Sequence, residues 1–195
     1  MAGTGVDYLG CGSHKWLMGL EGAAFVYVRA DRAPLLVPRV AGWLSHEDGL
    51  RFLFEGEGHL RYDRPLKEDA SFLEGGAYNG IGLAALEAAL APIEALGVAR
   101  IFEHVTRYLD ALEAGLLERR FSSERSPDGS RRSGILAVRP PAGVDLVRLW
   151  RALGARGVVT TTPDGRLRFA PHWPNALDEV PRVLAAVDAA LPEAR

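Results

Sequence analysis

One lysine near the start of the chain is placed where a reactive amine could form. Lys15 lies in the stretch Gly-Cys-Gly-Ser-His-Lys-Trp-Leu-Met, close to Cys11, Trp16, Leu17 and Met18. Apolar surroundings remove water from an ammonium group and so favour the neutral amine. A neutral lysine amine can form a Schiff base with a carbonyl group. The alternative is a lysine whose stem packs on apolar neighbours while its ammonium reaches solvent or a carboxylate.

Two short strands are predicted on either side of this lysine. Residues 6–11 and residues 23–28 are bounded by glycine, and the second carries the Phe-Val-Tyr-Val run that strands prefer. Residues 30–71 are irregular and rich in glycine, proline and charge. Because that is longer than most loops inside a compact domain, we expect the segment to pack over a partner surface.

Two helices are predicted next, from apolar residues that recur at helical spacing. Asn79 is a suitable N-cap for the first helix, and Gly97 a suitable C-terminal stop. The apolar positions are Leu83, Leu86, Leu90 and Ile93 in the first helix, and Ile101, Val105, Tyr108, Leu112 and Leu116 in the second.

A small α+β unit is predicted after a loop over residues 122–134. Its order is β-α-β-β-α: strands over 135–140, 157–162 and 166–171, a helix over 145–154, and a last helix near the C-terminus. We expect four of its side chains in the core: Trp150, Leu153, Val183 and Val187.

The composition is that of a folded globular protein. Hydrophobic residues make up 48% of the 195 and charged residues 25%. A formal net charge of -2 argues against a nucleic-acid or membrane-surface partner, and no segment reaches the ~20 apolar residues of a membrane helix. The single cysteine fits a reducing compartment. We therefore expect a cytoplasmic protein without a signal peptide, and no histidine has the spacing of a metal ligand.

The residues around Lys15 resemble the cofactor-lysine segment of the class V aminotransferases, which include isopenicillin N epimerase-like proteins, cysteine desulfurases and kynureninases. There Ser-x-His-Lys precedes a Gly-Pro-x-Gly turn and a strand ending in Leu-Tyr-Val-Arg. This chain has Ser-His-Lys-Trp-Leu, then Gly-Leu-Glu-Gly, then Phe-Val-Tyr-Val-Arg. The resemblance implies that Lys15 is the Schiff-base lysine for pyridoxal phosphate and that His14 lines the pocket for its phosphate and ring. Leu20 replaces the usual proline of the turn.

A second segment is similar to the closing part of the same family. Residues 167–175 read Leu-Arg-Phe-Ala-Pro-His-Trp-Pro-Asn, where the family has Leu-Arg-x-Ser-x-His-x-Tyr-Asn. The resemblance implies that Arg168 grips the substrate carboxylate, a task that suits a planar guanidinium. It also places His172 and Asn175 in the turn from strand to helix. The alternative for Arg168 is an exposed strand arginine without a ligand.

A third segment resembles a Gly-Thr-x-Asn turn that caps a helix and reaches the cofactor phosphate of a dimer partner. Asn79 matches its asparagine and is a candidate cofactor ligand, but Ala77 stands where the family has a threonine hydroxyl. A helix cap without a ligand is the alternative for Asn79.

The resemblance implies an α/β fold: the C-terminal part of a fold type I, aspartate aminotransferase-like transferase with a small α+β C-terminal domain. Residues 1–100 would be the end of the large cofactor-binding domain. Residues 101–195 would be the small domain with its linking helix. A homodimer is the implied assembly.

Only fourteen residues precede Lys15. In the family, the preceding half supplies the aromatic that stacks on the cofactor ring, the acid at the pyridine nitrogen and the helix that binds phosphate. Asp7 is too close to Lys15 to be that acid, so we place it in the lysine strand. We therefore expect either a stand-alone truncated relative or a fragment of a longer protein, and in both cases a chain that, alone, does not hold pyridoxal phosphate stably.

Three functions follow. The first is pyridoxal phosphate chemistry on an amino acid, of aminotransferase, epimerase or lyase type. The others are a non-catalytic dimerising module and one subunit of a split enzyme. Sulfur transfer is disfavoured, because it needs a nucleophilic cysteine on a mobile loop and Cys11 belongs to the predicted lysine strand.

Overall fold

The computed structural model describes residues 3–61 and 63–195. Its packing divides the chain into two compact units: the first ends at Pro92, and the second is Ile93–Arg195. The domain boundary expected between residues 100 and 101 stays a prediction about the family's domains. Each unit is described separately.

The first unit contains a two-stranded antiparallel sheet. Its strands are joined by residues 13–23, which include Lys15 and are called the lysine turn below. Strand β1 (Tyr8–Gly12) pairs with β2 (Ala24–Val28), with Leu9 opposite Tyr27. Both predicted strands are confirmed to within two residues at each end, and Cys11 lies in β1 as expected. The sheet therefore holds the two ends of the lysine turn side by side.

The next segment is irregular, as predicted. It contains short 3-10 turns at Ala30–Leu35, Trp43–Ser45 and Ala70–Leu73, and a single helical turn, α1 (Arg51–Phe54). No element in it is long enough to bury an apolar face of its own.

The two predicted helices are confirmed as α2 (Gly80–Leu96) and α3 (Val98–Glu118). The Oδ1 atom of Asn79 accepts the backbone N–H of Gly82 at 2.9 Å, which is the predicted N-cap bond. Gly97 separates the helices with a φ of 82°, a conformation that glycine adopts without strain. No single described helix is long and apolar enough to cross a bilayer. The pair α2 and α3 meets those two criteria only together, across a bend of 80°.

The second unit is a three-stranded antiparallel sheet packed with helices. Its elements after α3 are β3 (Ser122–Ser123), β4 (Leu136–Arg139), α4 (Leu146–Ala155), β5 (Leu167–Phe169) and α5 (Glu179–Ala190). The strand order is β3-β4-β5. Both helices and the strands β4 and β5 were predicted, and the class of the unit is α+β.

The strand predicted over residues 157–162 is wrong. Only Thr161 pairs there, in an isolated bridge with Arg168. Gly157 has a φ of 78°, so the run has no extended start. Val158 packs against the core and Thr160 is buried, but Val159 between them is 91% exposed, and burial on one side does not supply a partner strand. The third strand of the sheet is instead β3, which lies inside the segment predicted as a loop.

The core of the second unit is built from α3, α4, α5 and one face of the sheet. Its buried members are Ile101, Val105, Tyr108, Leu109, Leu112, Leu116, Phe121, Leu136, Val138, Leu149, Leu153, Leu167, Phe169, Val180, Val187, Ala190 and Ala194. Leu153 and Val187 are core residues as predicted, and Val183 packs against the core while partly exposed. The prediction that Trp150 is a core residue is wrong. Its side chain is 39% exposed, and its indole N–H donates to the carbonyl of Thr160 at 3.0 Å. An indole keeps its polar edge satisfied best at the rim of a core.

Candidate functional site

The lysine turn is held from inside by Ser13, which is completely buried. Its N–H donates to the carbonyl of Ala23 at 3.0 Å, and its own carbonyl accepts the N–H of Gly19 at 2.8 Å. Its hydroxyl donates to the carbonyl of Leu20. Three bonds from one residue thus join the start and the end of the turn, so Lys15 projects from a fixed backbone.

The side chain of Lys15 is exposed. The Met18 N–H donates to the Lys15 carbonyl at 2.9 Å, and Met18 has a φ of 57°. Within the described residues, the Lys15 ammonium has no hydrogen-bond or ion-pair partner. Trp16 and Met18 are themselves 42% and 48% exposed, so the predicted apolar surroundings of Lys15 do not form within the first unit.

The imidazole of His14 lies against the backbone of Gly12. A Cβ atom at Gly12 would come within 3.1 Å of the His14 Cε1 atom, which is closer than such contacts normally are. Glycine at this position therefore lets the ring lie over the end of β1. Reasoning from the sequence gave Gly12 and Ser13 no role, although both belong to the quoted motif.

Asn79 joins the lysine turn to α2. Its Nδ2 donates to the carbonyl of Gly22 at 3.0 Å, while its Oδ1 caps the helix through Gly82. A Cβ at Gly82 would come within 2.9 Å of the Ala23 Cβ, so the close approach of helix and turn requires glycine there. The cap therefore also holds the end of the lysine turn in place, because Asn79 bonds to Gly22 as well as to Gly82.

Asp7 belongs to the lysine strand region, as expected, and its charge is neutralised locally. It pairs with Arg29 at 2.5 Å and with Arg32 at 3.4 Å. The carboxylate therefore ties the segment before β1 to the segment after β2.

Arg168 lies in the second unit, at the middle of β5. Its N–H donates to the carbonyl of Thr161 at 2.8 Å, and it pairs with Ala137 of β4 on its other side. Its neighbours Leu167 and Phe169 face the core. Because successive side chains of a strand point to opposite faces, Arg168 projects from the face of the sheet away from the core.

The charges on this face leave Arg168 without a carboxylate. Arg139 and Arg166 share the single acid Glu124, at 2.6 Å and 3.4 Å. The hydrogen bond from Arg139, with help from the charge of Arg166, holds the pKa of Glu124 below its usual value. In the described part of the chain no carboxylate pairs with Arg168. The face therefore carries more positive than negative charge and can accept an anion.

The predicted turn from strand to helix after Arg168 is confirmed. The N–H of His172 donates to Oδ1 of Asn175 at 2.9 Å, and the N–H of Asn175 donates to the carbonyl of His172 at 3.0 Å. From α3, His104 Nε2 contacts the carbonyl of Asn175 at 2.7 Å. Among the described residues no group of histidine, cysteine and acidic side chains is arranged to hold a metal ion.

Comparison with known proteins gives one curated relative and many similar structures. An uncharacterized aminotransferase of Bacillus subtilis (strain 168), YcbU, is 28% identical over 182 residues, which are 90% of this chain and 43% of the relative. The apo cysteine desulfurase of Thermococcus onnurineus NA1 matches with a TM-score of 0.81 and 20% identity, over 96% of this chain and 47% of that one. No protein-family profile matches the chain.

The chain is similar to an aminotransferase in sequence and to a cysteine desulfurase in fold. The chain spans about half the length of the relatives it matches, in agreement with a C-terminal half. Its fold is that of a fold type I, pyridoxal phosphate-dependent enzyme over that part. A third match is a variant of the cystine C–S lyase C-DES with glycine covalently linked to its PLP cofactor, at a TM-score of 0.72, 18% identity and coverage of 94% of this chain and 46% of that one.

The residues of this chain fit part of a pyridoxal phosphate site. Lys15 is an amine without a competing carboxylate on a rigid turn, and His14 lies beside it in sequence. Asn79 has already used Oδ1 and one N–H of Nδ2 in holding the turn and the helix, so one N–H remains for a ligand. Ala77 offers no hydroxyl.

Proposed function

We propose that the chain carries the lysine half of a pyridoxal phosphate-dependent site that acts on an amino acid. One observation supports this above all: Lys15 is exposed and without a partner in the described structure, on a turn that Ser13 and Asn79 hold rigid. A lysine that forms a salt bridge can be explained by its contribution to the fold. Lys15 forms no salt bridge within the described part of the first unit, so its presence on the turn is not explained in this way.

In this proposal Lys15 would hold the cofactor aldehyde and would then move the α-proton of the substrate. Both tasks need an amine that no ion pair occupies. Ser13 and Asn79 contribute by fixing the backbone from which the amine reaches. His14 would line the cofactor pocket. When bound, pyridoxal phosphate supplies an electron sink for the negative charge left when a bond to the α-carbon breaks.

Arg168 is the proposed carboxylate-binding residue. Its strand is paired on both sides, so the guanidinium starts from a fixed point, and its charge is not consumed by Glu124. A guanidinium can donate two parallel N–H bonds to one carboxylate, which orients an amino acid as well as holding it. An amino acid is the class of substrate that these two residues favour together.

The lysine composition of the chain makes the proposal easy to test. The sequence contains two lysines, Lys15 and Lys67. The full chain is mixed with excess pyridoxal phosphate, reduced at once with borohydride, digested and mapped by mass spectrometry. We expect label mainly on Lys15, with Lys67 and the α-amino group as internal controls. Equal labelling of all three amines would contradict the proposal.

Self-association is a further part of the proposal. The first unit exposes large apolar side chains on β1, β2 and the lysine turn, among them Tyr8 at 49%, Leu20 at 52% and Val26 at 59%. Exposed apolar area of this kind marks interaction surfaces. A homodimer would cover it with a second copy of the same surface.

A further inference from the structure

A cavity of about 320 Å³ opens in the second unit, between the first half of α3 and the turn after β5. It is lined by Leu96, Arg100, Ile101, Glu103, His104, Arg107 and Trp173. None of these residues belongs to the set of Lys15, His14, Asn79 and Arg168. The lining of the cavity therefore shares no residue with the proposed catalytic set.

The floor of the cavity is apolar and contains one unused donor. Leu96, Ile101 and Trp173 form this floor, and Ile101 is only 3% exposed. The indole Nε1 of Trp173 is buried and has no hydrogen-bond partner in the described structure. A buried N–H without an acceptor is costly, and the indole N–H resonance of Trp173 is a local reporter for any occupant of this floor.

The rim of the cavity carries two arginines whose charge is not used. Arg100 and Arg107 are exposed, and neither has an ion pair with any carboxylate of the described residues. Some other arginines of this unit are paired: Arg119 contacts Asp188 at 2.6 Å, and Arg125 contacts Glu113 at 2.7 Å. The only acid in the lining is Glu103, so the rim has a net positive charge.

The helix itself adds to this positive potential. The N-cap of α3 is Gly97, which offers no side-chain acceptor, and the first turn contains no acidic residue. The N-terminus of a helix carries a partial positive charge that anions stabilise. The positive charge of Arg100, in the first turn, is repelled by this partial positive charge. An anion bound near Arg100 would reduce that repulsion.

His104 gives the cavity a fixed polar wall. Its Nε2 lies 2.7 Å from the carbonyl of Asn175. A carbonyl can only accept, so Nε2 carries the proton and Nδ1 is the remaining acceptor of the neutral ring. The ring is thereby held by the turn that follows Arg168.

We propose that this cavity binds a small monocarboxylate with an apolar, preferably aromatic, body. The body would lie against Leu96, Ile101 and Trp173, and the carboxylate between Arg100 and Arg107. These two arginines are seven residues apart on α3, about 10.5 Å along the axis, so both side chains reach a point midway between them. The acid group of such a ligand would pair with the free arginines, and its ring would cover the apolar floor.

The experiment uses the full chain and three probes: benzoate, acetate, and benzyl alcohol. Titration is followed by amide and indole N–H resonances, with the Trp173 indole assigned from a Trp173→Phe variant. We expect saturable benzoate binding that moves the Trp173 indole signal, and at least tenfold weaker binding of the acid without the ring or the ring without the acid. Arg107→Gln should weaken benzoate binding about tenfold, the effect of losing one charge-assisted hydrogen bond.

The matched control is Arg151→Gln, which removes an exposed arginine of α4 that lies outside the cavity. It should leave benzoate binding unchanged. Equal weakening by both variants would overturn the proposal, because it would indicate attraction to net charge alone. Shifts scattered over the surface, or benzoate behaving like acetate, would overturn it too. Unchanged unfolding midpoints of both variants show that a loss of binding is not a loss of folding.

Discussion

The two units bury their apolar residues to very different degrees. In the second unit a continuous core joins three helices to one face of a sheet, and its central leucines have no exposed surface. In the first unit the buried apolar residues of the described chain are Ala23, Leu44, Phe72 and Leu86. Phe25, Val26, Phe54 and Ile81 of the same unit are between 43% and 80% exposed.

The comparison shows which unit buries enough apolar surface to have a core of its own. A two-stranded sheet has too little area to be stable by itself, and the first unit supplements it mainly with hydrogen bonds from Ser13 and Asn79. The second unit satisfies its own hydrophobic pattern. The chemistry proposed for Lys15 therefore sits on the unit with the smaller apolar core.

The largest expected effect sharpens this contrast through stability. Leu153→Ala empties a completely buried site of the second unit and should reduce its free energy of unfolding by about 2–5 kcal/mol. Val26→Ala in β2, whose side chain is 59% exposed, should cost less than about 0.5 kcal/mol in a monomer. Hydrogen exchange of the amides of each unit measures both. Equal losses would mean that the two units are not packed as differently as described.

Val187→Ala is a milder test of the same core. Val187 is completely buried on α5, and deletion of its two methyl groups should cost about 1–3 kcal/mol. The measurement is denaturant unfolding of the second unit. A loss within about 0.5 kcal/mol would show that this face of α5 is not buried in solution.

These elements also show what could be predicted from sequence. The helices α2 and α3 were predicted because their signals are local: periodic leucines, an asparagine cap and a glycine stop. The strand at residues 157–162 was wrong because strand pairing is non-local, and the Val-Val-Thr-Thr-Thr run carries propensity without naming a partner. Trp150 was misplaced for a related reason, since size and apolarity do not reveal that its N–H reaches Thr160.

The candidate site divides in the same way. Lys15, His14, Asn79 and Arg168 could be proposed as site residues because their motifs are contiguous in the sequence. The bond from Asn79 to Gly22 joins residues far apart in the chain, and no local pattern encodes it. The exposure of Lys15 could not be predicted either, because burial depends on which surfaces meet in space.

Self-association tests whether the apolar surface of the first unit is an interface. Light scattering at micromolar concentration should give a dimer or a larger species. Val26→Asp should shift the population toward monomer, because it places a charge where an apolar contact would form. Val159→Asp, at a 91% exposed position of the second unit, is the matched control and should change nothing. A monomeric wild-type chain would remove the argument for a homodimer.

Retention of pyridoxal phosphate tests whether the first unit has enough phosphate-binding groups to hold the cofactor. We expect pyridoxal phosphate bound at Lys15 to be lost on dialysis of the isolated chain, because the side chain of Asn79 has one N–H left for a phosphate and that of Ala77 has no donor. Absorbance before and after dialysis measures it, with Lys15→Arg as the control for scattered adducts. Stoichiometric cofactor that survives dialysis would contradict this and favour a complete site.

The smallest expected effect is a pH dependence confined to the second unit. The carboxylate of Asp145 accepts the N–H of Arg148 at 2.8 Å at the start of α4, and this bond lowers the pKa of Asp145. A pair with Arg119 lowers the pKa of Asp188 in the same way. Since both pKa values are lower in the folded than in the unfolded chain, the stabilisation is fully present above the unfolded value of ~4. It is lost as the pH falls through the folded values.

Asp145→Asn separates the charge from the cap, because asparagine caps a helix about as well as aspartate but does not titrate. The wild type should therefore be more stable than Asp145→Asn near pH ~6, and this advantage should shrink as the pH is lowered to ~3. The measurement is the unfolding midpoint of the second unit at each pH. The solvent-exposed position of Asp145 keeps the expected difference small, since water and salt screen the charge. A difference that stays constant with pH would mean that the cap acts through its geometry alone, and that the negative charge at the start of α4 contributes nothing.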